Sequence, residues 1–253
     1  MIFLNENSLP QGFLEEFENP GKEYRGTPFW SWNTKLDKES LDWQIEQFRE
    51  MGMGGFYIHT RVGLDTEYMG PVYMECVKKA AEIAREKDLY CCLYDEDRWP
   101  SGYGGGRVTK HQKYRNRNLL ITPCRKGTKT YEYRNADSMA SPSPQGNGRF
   151  LAAYKVELNP DGTLRSYERC GEESAAEKNA GIWYVYLETA HDSPWFNGQS
   201  YVDTLNPEAV RYFLEVTHEK YRQAVGEAFG KTIPAIFTDE PQFGKKGCLG
   251  NAG

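Results

Sequence analysis

The β-prone run at residues 27–33 predicts a first strand, and the period of two puts Trp30 and Trp32 on one of its faces. A helix follows, capped by Asp37 and carrying Leu41, Ile45 and Phe48 at helical spacing, and Gly52 ends it. Residues 54–59 read as a second strand. Pro71 then opens a second helix with Tyr73, Val77, Ala80, Ala81 and Ala84 on one face. Residues 89–94 are almost continuously apolar, the mark of a strand covered on both sides, as parallel sheets require.

The rhythm breaks between residues 116 and 200. There the β-prone runs 119–122, 150–158 and 182–188 replace helical spacing, with a turn signal at Asn159-Pro160-Asp161-Gly162. The polar tract 138–148 is expected to be an exposed loop. Helical spacing resumes at Asn206-Pro207, runs through Val210, Phe213, Leu214, Tyr221 and Val225 to Gly230, and leads to a fourth strand at 233–240. The expected fold class is therefore α/β. It is a partial TIM-type (β/α) barrel with about four of the eight strands, and a β-rich insertion follows the third. Its segments are 1–115 (first part of the barrel), 116–200 (insertion) and 201–253 (continuation). The chain is expected to be a fragment of a longer barrel, and residues 244–253 are expected to fray.

The composition narrows the ligand. Of 253 residues 39% are hydrophobic, enough for a sizeable core, and no apolar run reaches the length of about 18 that a membrane span needs. The first residues lack the basic and apolar segments of a secretion signal, so the expectation is a cytoplasmic protein with no membrane partner. A net charge of −5, with Lys and Arg scattered among acids, argues against nucleic acid and for a neutral substrate. Six cysteines (Cys76, Cys91, Cys92, Cys124, Cys170, Cys248) form no CxxC pair, which argues against a structural metal or a disulfide framework. The aromatic share of 14% is concentrated near strand ends, where flat rings suit sugar faces. Nothing in the sequence assigns an oligomeric state or a particular metal ligand.

Catalytic groups of a β/α barrel project from the C-terminal ends of its strands. Those ends carry Trp30, Trp32 and Asn33; His59 and Arg61; Asp95, Glu96, Asp97, Arg98 and Trp99; and Asp239 and Glu240. Glycosidic cleavage needs a proton donor and a second carboxylate, about 5 Å apart for retention and farther for inversion. Glu240, Glu96 and Asp95 are the candidate catalytic acids. On an extended chain Asp239 points away from Glu240, which leaves it a substrate-binding role. The alternative for Glu240 is a cap before Pro241, and for residues 95–98 an ion-paired loop neutralised by Arg98. Trp30, Trp32 and Trp99 either stack on sugar or pack. Asn33, His59, Arg61, Asp97 and Arg98 are candidate substrate contacts, whereas His218, in the last helix, reads as structural. The glycines at 102–106 lack the lysine and hydroxyl of a phosphate loop.

The chain resembles bacterial α-L-rhamnosidase-like proteins of glycoside hydrolase family 106. The resemblance rests on Pro28-Phe29-Trp30-Ser31-Trp32-Asn33, Met53-Gly54-Gly55-Phe56, Leu93-Tyr94-Asp95-Glu96-Asp97-Arg98-Trp99-Pro100-Ser101-Gly102, Tyr201-Val202-Asp203, Leu205-Asn206-Pro207-Glu208 and Ile236-Phe237-Thr238-Asp239-Glu240-Pro241. It implies a β/α barrel and inverting hydrolysis of a terminal rhamnoside. Calcium is the one cofactor it suggests; the residues themselves require none. Family members are much longer, with auxiliary β domains. Two other readings stay open: a metal-dependent sugar isomerase or aldolase with His59, Asp95, Glu96 and Glu240 as ligands, and a non-catalytic carbohydrate-binding fragment.

Overall fold

Alternation along the first strand resolves into two unlike faces. Phe29 and Ser31 are exposed, while Trp30 and Trp32 are buried. In the computed structural model, residues 10, 12–123, 125, 147–171 and 181–243 are described. Cys124, Cys248, most of the expected loop at 138–148 and the whole tail 244–253 lie outside them. The elements in chain order are α1 (Phe13–Glu18), β1 (Phe29–Trp32), α2 (Glu39–Glu50), β2 (Gly55–Thr60), α3 (Pro71–Glu86), β3 (Tyr90–Tyr94), β4 (Arg117–Thr122), β5 (Arg149–Leu158), β6 (Leu164–Cys170), β7 (Ile182–Thr189), α4 (Pro207–Val216), α5 (His218–Val225) and β8 (Ile236–Phe237). Two units form: Met1–Ser101 with Leu214–Glu240, and Gly102–Phe213 with Pro241–Gly253.

The first unit holds a parallel sheet in the order β1-β2-β3-β8. One face of it packs on helices. Trp30 and Trp32 of β1, Phe56 and Ile58 of β2, and Cys91 and Leu93 of β3 join Leu41, Ile45, Tyr73, Val77, Ala80, Tyr221 and Val225 in a single apolar cluster. Trp30 meets Phe56 and Phe48 edge to face, and its indole N–H donates to Gln44 Oε1 at 2.8 Å. The helices start where the sequence signals them: Asp37 Oδ1 accepts the Ser40 amide at 2.8 Å, and Pro71 opens α3. Gly54 and Gly55 permit a backbone approach that a side chain would block, since a Cβ would lie 1.9 Å from the Lys22 carbonyl oxygen in one case and 2.4 Å from that of Tyr90 in the other.

The expected TIM-type barrel is corrected by this sheet, which is four-stranded and open. Among the described residues β1 pairs only with β2 and β8 only with β3, so the two edges do not meet. Closure requires first and last strands to hydrogen-bond, and four strands are too few to enclose a filled interior. The fourth strand is also shorter than the expected 233–240. The amides of Cys91, Leu93 and Asp95 donate to the carbonyls of Thr232, Ala235 and Phe237, an uneven step across Pro234, which has no N–H. Beyond Phe237 the chain leaves the extended region, with Glu240 at φ 41°. The expected continuous helix after Pro207 divides into α4 and α5 because Thr217 (φ −122°, ψ −79°) is not helical.

The second unit contains an antiparallel sheet in the order β4-β7-β5-β6. Ala153, Tyr184 and Tyr186 form its buried centre, packed against Leu120, Phe150 and Ile182. β6 has no counterpart in the sequence pattern, because Leu164–Cys170 is a polar, exposed edge strand. The turn at Asn159–Gly162 joins it to β5, with the Asn159 amide on the Thr163 carbonyl at 2.8 Å and Gly162 at φ 80°.

Candidate active site at the C-terminal edge of the parallel sheet

In open α/β sheets ligands bind beyond the carboxyl ends of the strands. In the first unit the second face of the sheet is aromatic toward that edge. Parallel register sets Tyr57 beside Cys92, and two residues further His59 lies beside Tyr94. The His59 imidazole stacks flat on the Tyr94 ring, with centroids 4.1 Å apart and planes at 6°. Phe29 tilts against His59 at 4.4 Å and against Phe237 at 5.2 Å. Burial, reinforced by the Arg61 charge, lowers the His59 pKa from 6.5 to about 4, so the ring is neutral near pH 7. Burial pushes the Tyr94 phenol far above its ordinary range.

Asp95 is fully buried and has no oxygen to spare. Its Oδ1 accepts from Ser101 Oγ at 2.6 Å, and its Oδ2 from Thr238 Oγ1 at 2.6 Å while also hydrogen-bonding His218 Nε2 at 3.2 Å. Ser101 donates its amide to the Asp239 carbonyl at 2.9 Å and accepts the Asp239 amide on Oγ at 2.8 Å. The carboxylate expected to do chemistry thus braces the ends of β3, β8 and α5 against one another. Glu96 is buried too, with Oε1 on the Asp97 amide at 2.8 Å. Asp97 pairs with Arg98 at 3.2 Å, as the ion-paired reading of this loop has it.

A second buried chain fixes the same strand ends. Tyr221 donates to the Tyr94 carbonyl at 2.9 Å, so its single proton is used, and Tyr73 donates to it in turn at 2.9 Å. Thr60 completes the series onto Tyr73 at 3.2 Å. Burial pushes the Tyr73 phenol up to about 12, which keeps this relay protonated.

The acids left open are Asp239 and Glu240. Glu240 is exposed, and its Oε2 accepts the Trp99 indole N–H at 3.1 Å. Its positive φ ends the strand alternation that would have sent the two acids in opposite directions. Asp239 is half-buried. Burial raises its pKa above 3.8, the neighbouring Glu240 charge adds to that, and Arg61 and the Tyr94 hydroxyl oppose it. Asp239, Glu240, Arg61, His59, Tyr94 and Trp99 therefore influence one another at one edge.

Trp30 and Trp32 do not join them. Both are enclosed on the helix-covered face, Trp32 edge to face with Tyr73, so their rings pack and offer no surface for stacking. Asn33 and Arg61 are exposed at the ends of β1 and β2. Tyr94, Ser101 and Thr238 were not singled out as site residues by the sequence reading, and His218, read there as structural, braces Asp95. Tyr94 was detectable as the strand-end residue in register with His59, whereas His218 reaches Asp95 only through the packing of α5.

Among the described residues no three His, Cys, Asp or Glu side chains gather where they could hold a metal ion. The Asp95 oxygens face hydroxyl and imidazole groups, and one oxygen of Asp97 faces a guanidinium. That donor set does not fit calcium. No helix among the described residues is long and apolar enough to cross a membrane. The four described cysteines, Cys76, Cys91, Cys92 and Cys170, are free thiols.

These features define an open α/β sheet carrying carboxylates and aromatic rings at its C-terminal edge. No protein-family model matches the chain, and no curated protein does. Among solved structures, a rhamnosidase from Novosphingobium sp. PP1Y is similar in fold, with a TM-score of 0.50 and 14% identity over 91% of this chain. The chain spans 40% of that rhamnosidase's length.

Proposed function

We propose that this chain is the carboxylate-bearing part of a glycoside hydrolase that cleaves terminal α-L-rhamnosides or related plant-derived glycosides. The observation that carries the reading is the pair Asp239 and Glu240, adjacent acids at one sheet edge in unlike surroundings. Burial favours the protonated form of Asp239, as a general acid requires, and Glu240 stands in solvent with its orientation held by Trp99. Asp239 would protonate the departing glycosidic oxygen. Glu240 would act from the opposite side as base or nucleophile, the division of labour common to carboxylate glycosidases. The fold likeness to a rhamnosidase supports the substrate class, as does the resemblance carried by residues 93–102 and 236–241.

The test is to assay the full-length gene product on a panel of aryl glycosides that includes the α-L-rhamnoside, alongside Glu240→Gln and Asp239→Asn. Each substitution is expected to lower turnover by at least ~100-fold, as removal of a general acid or base does. Hydrolysis that persists in both variants would reassign the catalytic carboxylates. Sugar binding without hydrolysis in the wild type would make the chain a binding fragment.

A further inference from the structure

The backbone ladder of the parallel sheet gives out before the acids. β8 pairs with β3 at Leu93 with Ile236 and Tyr94 with Phe237, and the Asp95 amide on the Phe237 carbonyl, at 3.2 Å, continues the ladder. Asp239 stands beyond that point. Both of its backbone polar groups nevertheless end on one residue, Ser101: its carbonyl accepts the Ser101 amide at 2.9 Å, and its amide donates to Ser101 Oγ at 2.8 Å. Ser101 is buried, and its hydroxyl proton is committed to Asp95 Oδ1 at 2.6 Å, a short bond to a buried carboxylate. A hydroxyl whose proton is fixed in that way turns its lone pairs toward the Asp239 amide. Asp95 is held in turn, because Thr238 Oγ1 and His218 Nε2 engage its other oxygen at 2.6 and 3.2 Å. The Tyr94 hydroxyl lies beside the same groups and interacts with Ser101 and with the Asp239 carboxyl.

We propose that Ser101 is a positioning residue for Asp239: by gripping its amide and its carbonyl together, Ser101 fixes the direction in which the Asp239 carboxyl leaves the chain, and Asp95 sets the Ser101 hydroxyl for that task. This assignment rests on the glycosidase reading with Asp239 as proton donor, and adds to it the group that aims the donor. Geometry decides such a role. A general acid must lie within hydrogen-bond reach of the leaving oxygen, and a misplacement of about 1 Å costs about 100-fold in rate. Two hydrogen bonds to one residue fix the peptide planes on both sides of Asp239, where a single bond would leave a hinge. Thr238 supplies the comparison. Its hydroxyl also donates to Asp95 at 2.6 Å, on the other oxygen, while the Asp239 amide goes to Ser101. Removal of either hydroxyl strips one donor from the same buried carboxylate, but only removal of the Ser101 hydroxyl releases Asp239.

The experiment uses the full-length protein and a series of aryl α-L-rhamnosides whose phenol leaving groups run from strongly to weakly acidic. Ser101→Ala, Thr238→Val and Asp239→Asn are compared with the wild type below their thermal midpoints. A weakly acidic phenol departs only when protonated, whereas a strongly acidic one leaves unaided, so loss of an aimed proton donor falls on one end of the series. Ser101→Ala is expected to lower kcat/KM about 10-fold or more for the least acidic phenol and about 3-fold or less for the most acidic, in the pattern of Asp239→Asn. Thr238→Val removes the matching hydroxyl from Asp95 and is expected to affect all members of the series evenly. Ser101→Cys keeps a weak donor on Asp95 but is a poor acceptor for the Asp239 amide. It carries the same comparison if Ser101→Ala does not fold, and the same dependence on the leaving group is expected of it. An even loss in the Ser101 variants, matching Thr238→Val, would overturn the positioning role, while a leaving-group dependence in Asp239→Asn would keep the glycosidase reading. An even response in Asp239→Asn would take the proton-donor role from Asp239 and the positioning role from Ser101. A wild type that cleaves none of the series would end the glycosidase reading as well.

Discussion

The imidazole of His59 lies parallel to the phenol ring of Tyr94, 4.1 Å away, at the point where two neighbouring parallel strands end. Burial around this contact, reinforced by the Arg61 charge, keeps the histidine neutral near pH 7. The folded chain resists protonating His59 until about pH 4, whereas the unfolded chain takes that proton near 6.5. Stability is therefore lost as pH falls from about 6.5 to 4. Denaturant melts across this range are expected to show that slope in the wild type and a flatter one in His59→Asn. The imidazole resonances of the native protein should titrate near pH 4.

Asp239 has the opposite sense. Its folded pKa lies above 3.8, so the folded state holds the proton more tightly than the unfolded chain, and stability declines as pH rises through that window. Asp239→Asn is expected to raise the thermal midpoint at pH 7 by about 1–2 °C. The gain should vanish below about pH 3.8, where the native aspartate is neutral in both states. Activity should move the other way, with the alkaline limb of the pH profile lost.

Trp99 holds Glu240 by a hydrogen bond of 3.1 Å at an exposed position. Trp99→Phe is expected to lower turnover about 3- to 10-fold, the effect of about 1 kcal/mol of lost orientation. A loss as large as that of Glu240→Gln would give Trp99 a direct role in binding substrate. Steady-state kinetics on the aryl glycosides that the wild type cleaves separates the two.

Asp95 belongs to the architecture. Asp95→Ala leaves Ser101, Thr238 and His218 facing a void and is expected to cost about 3–5 kcal/mol of unfolding free energy. Tyr221→Phe removes one link of the Thr60–Tyr73–Tyr221 series and should cost about 1–2 kcal/mol. Chemical denaturation measures both. Near-native stability in Asp95→Ala would contradict its role as a brace.

Much of the local structure was legible from residue order alone. The period of two around Trp30 and Trp32, the apolar run ending at Tyr94, the cap at Asp37 and Pro71 at a helix start are local signals, and each corresponds to an observed element. They are legible because propensity, capping and alternation act over a few residues. β6 escaped notice because an exposed edge strand carries no apolar pattern. Closure of the sheet is a different kind of property: it depends on whether β1 and β8 meet, which no local pattern encodes.

The same division runs through the site. Strand-end position, a consequence of chain order, singled out His59, Arg61, Asp239 and Glu240. Tertiary structure decided which acids remain open. Asp95 is occupied because Ser101, Thr238 and His218 converge on it from segments up to 143 residues away, and only packing sets such distances. Glu240 and Asp239 lie beyond the end of β8, where the backbone is left-handed at residue 240 and the alternation the sequence implies no longer holds. Trp30 and Trp32 were assigned to the right strand, but the helices cover their face, since that side of the sheet is where the apolar area of α2, α3 and α5 is buried.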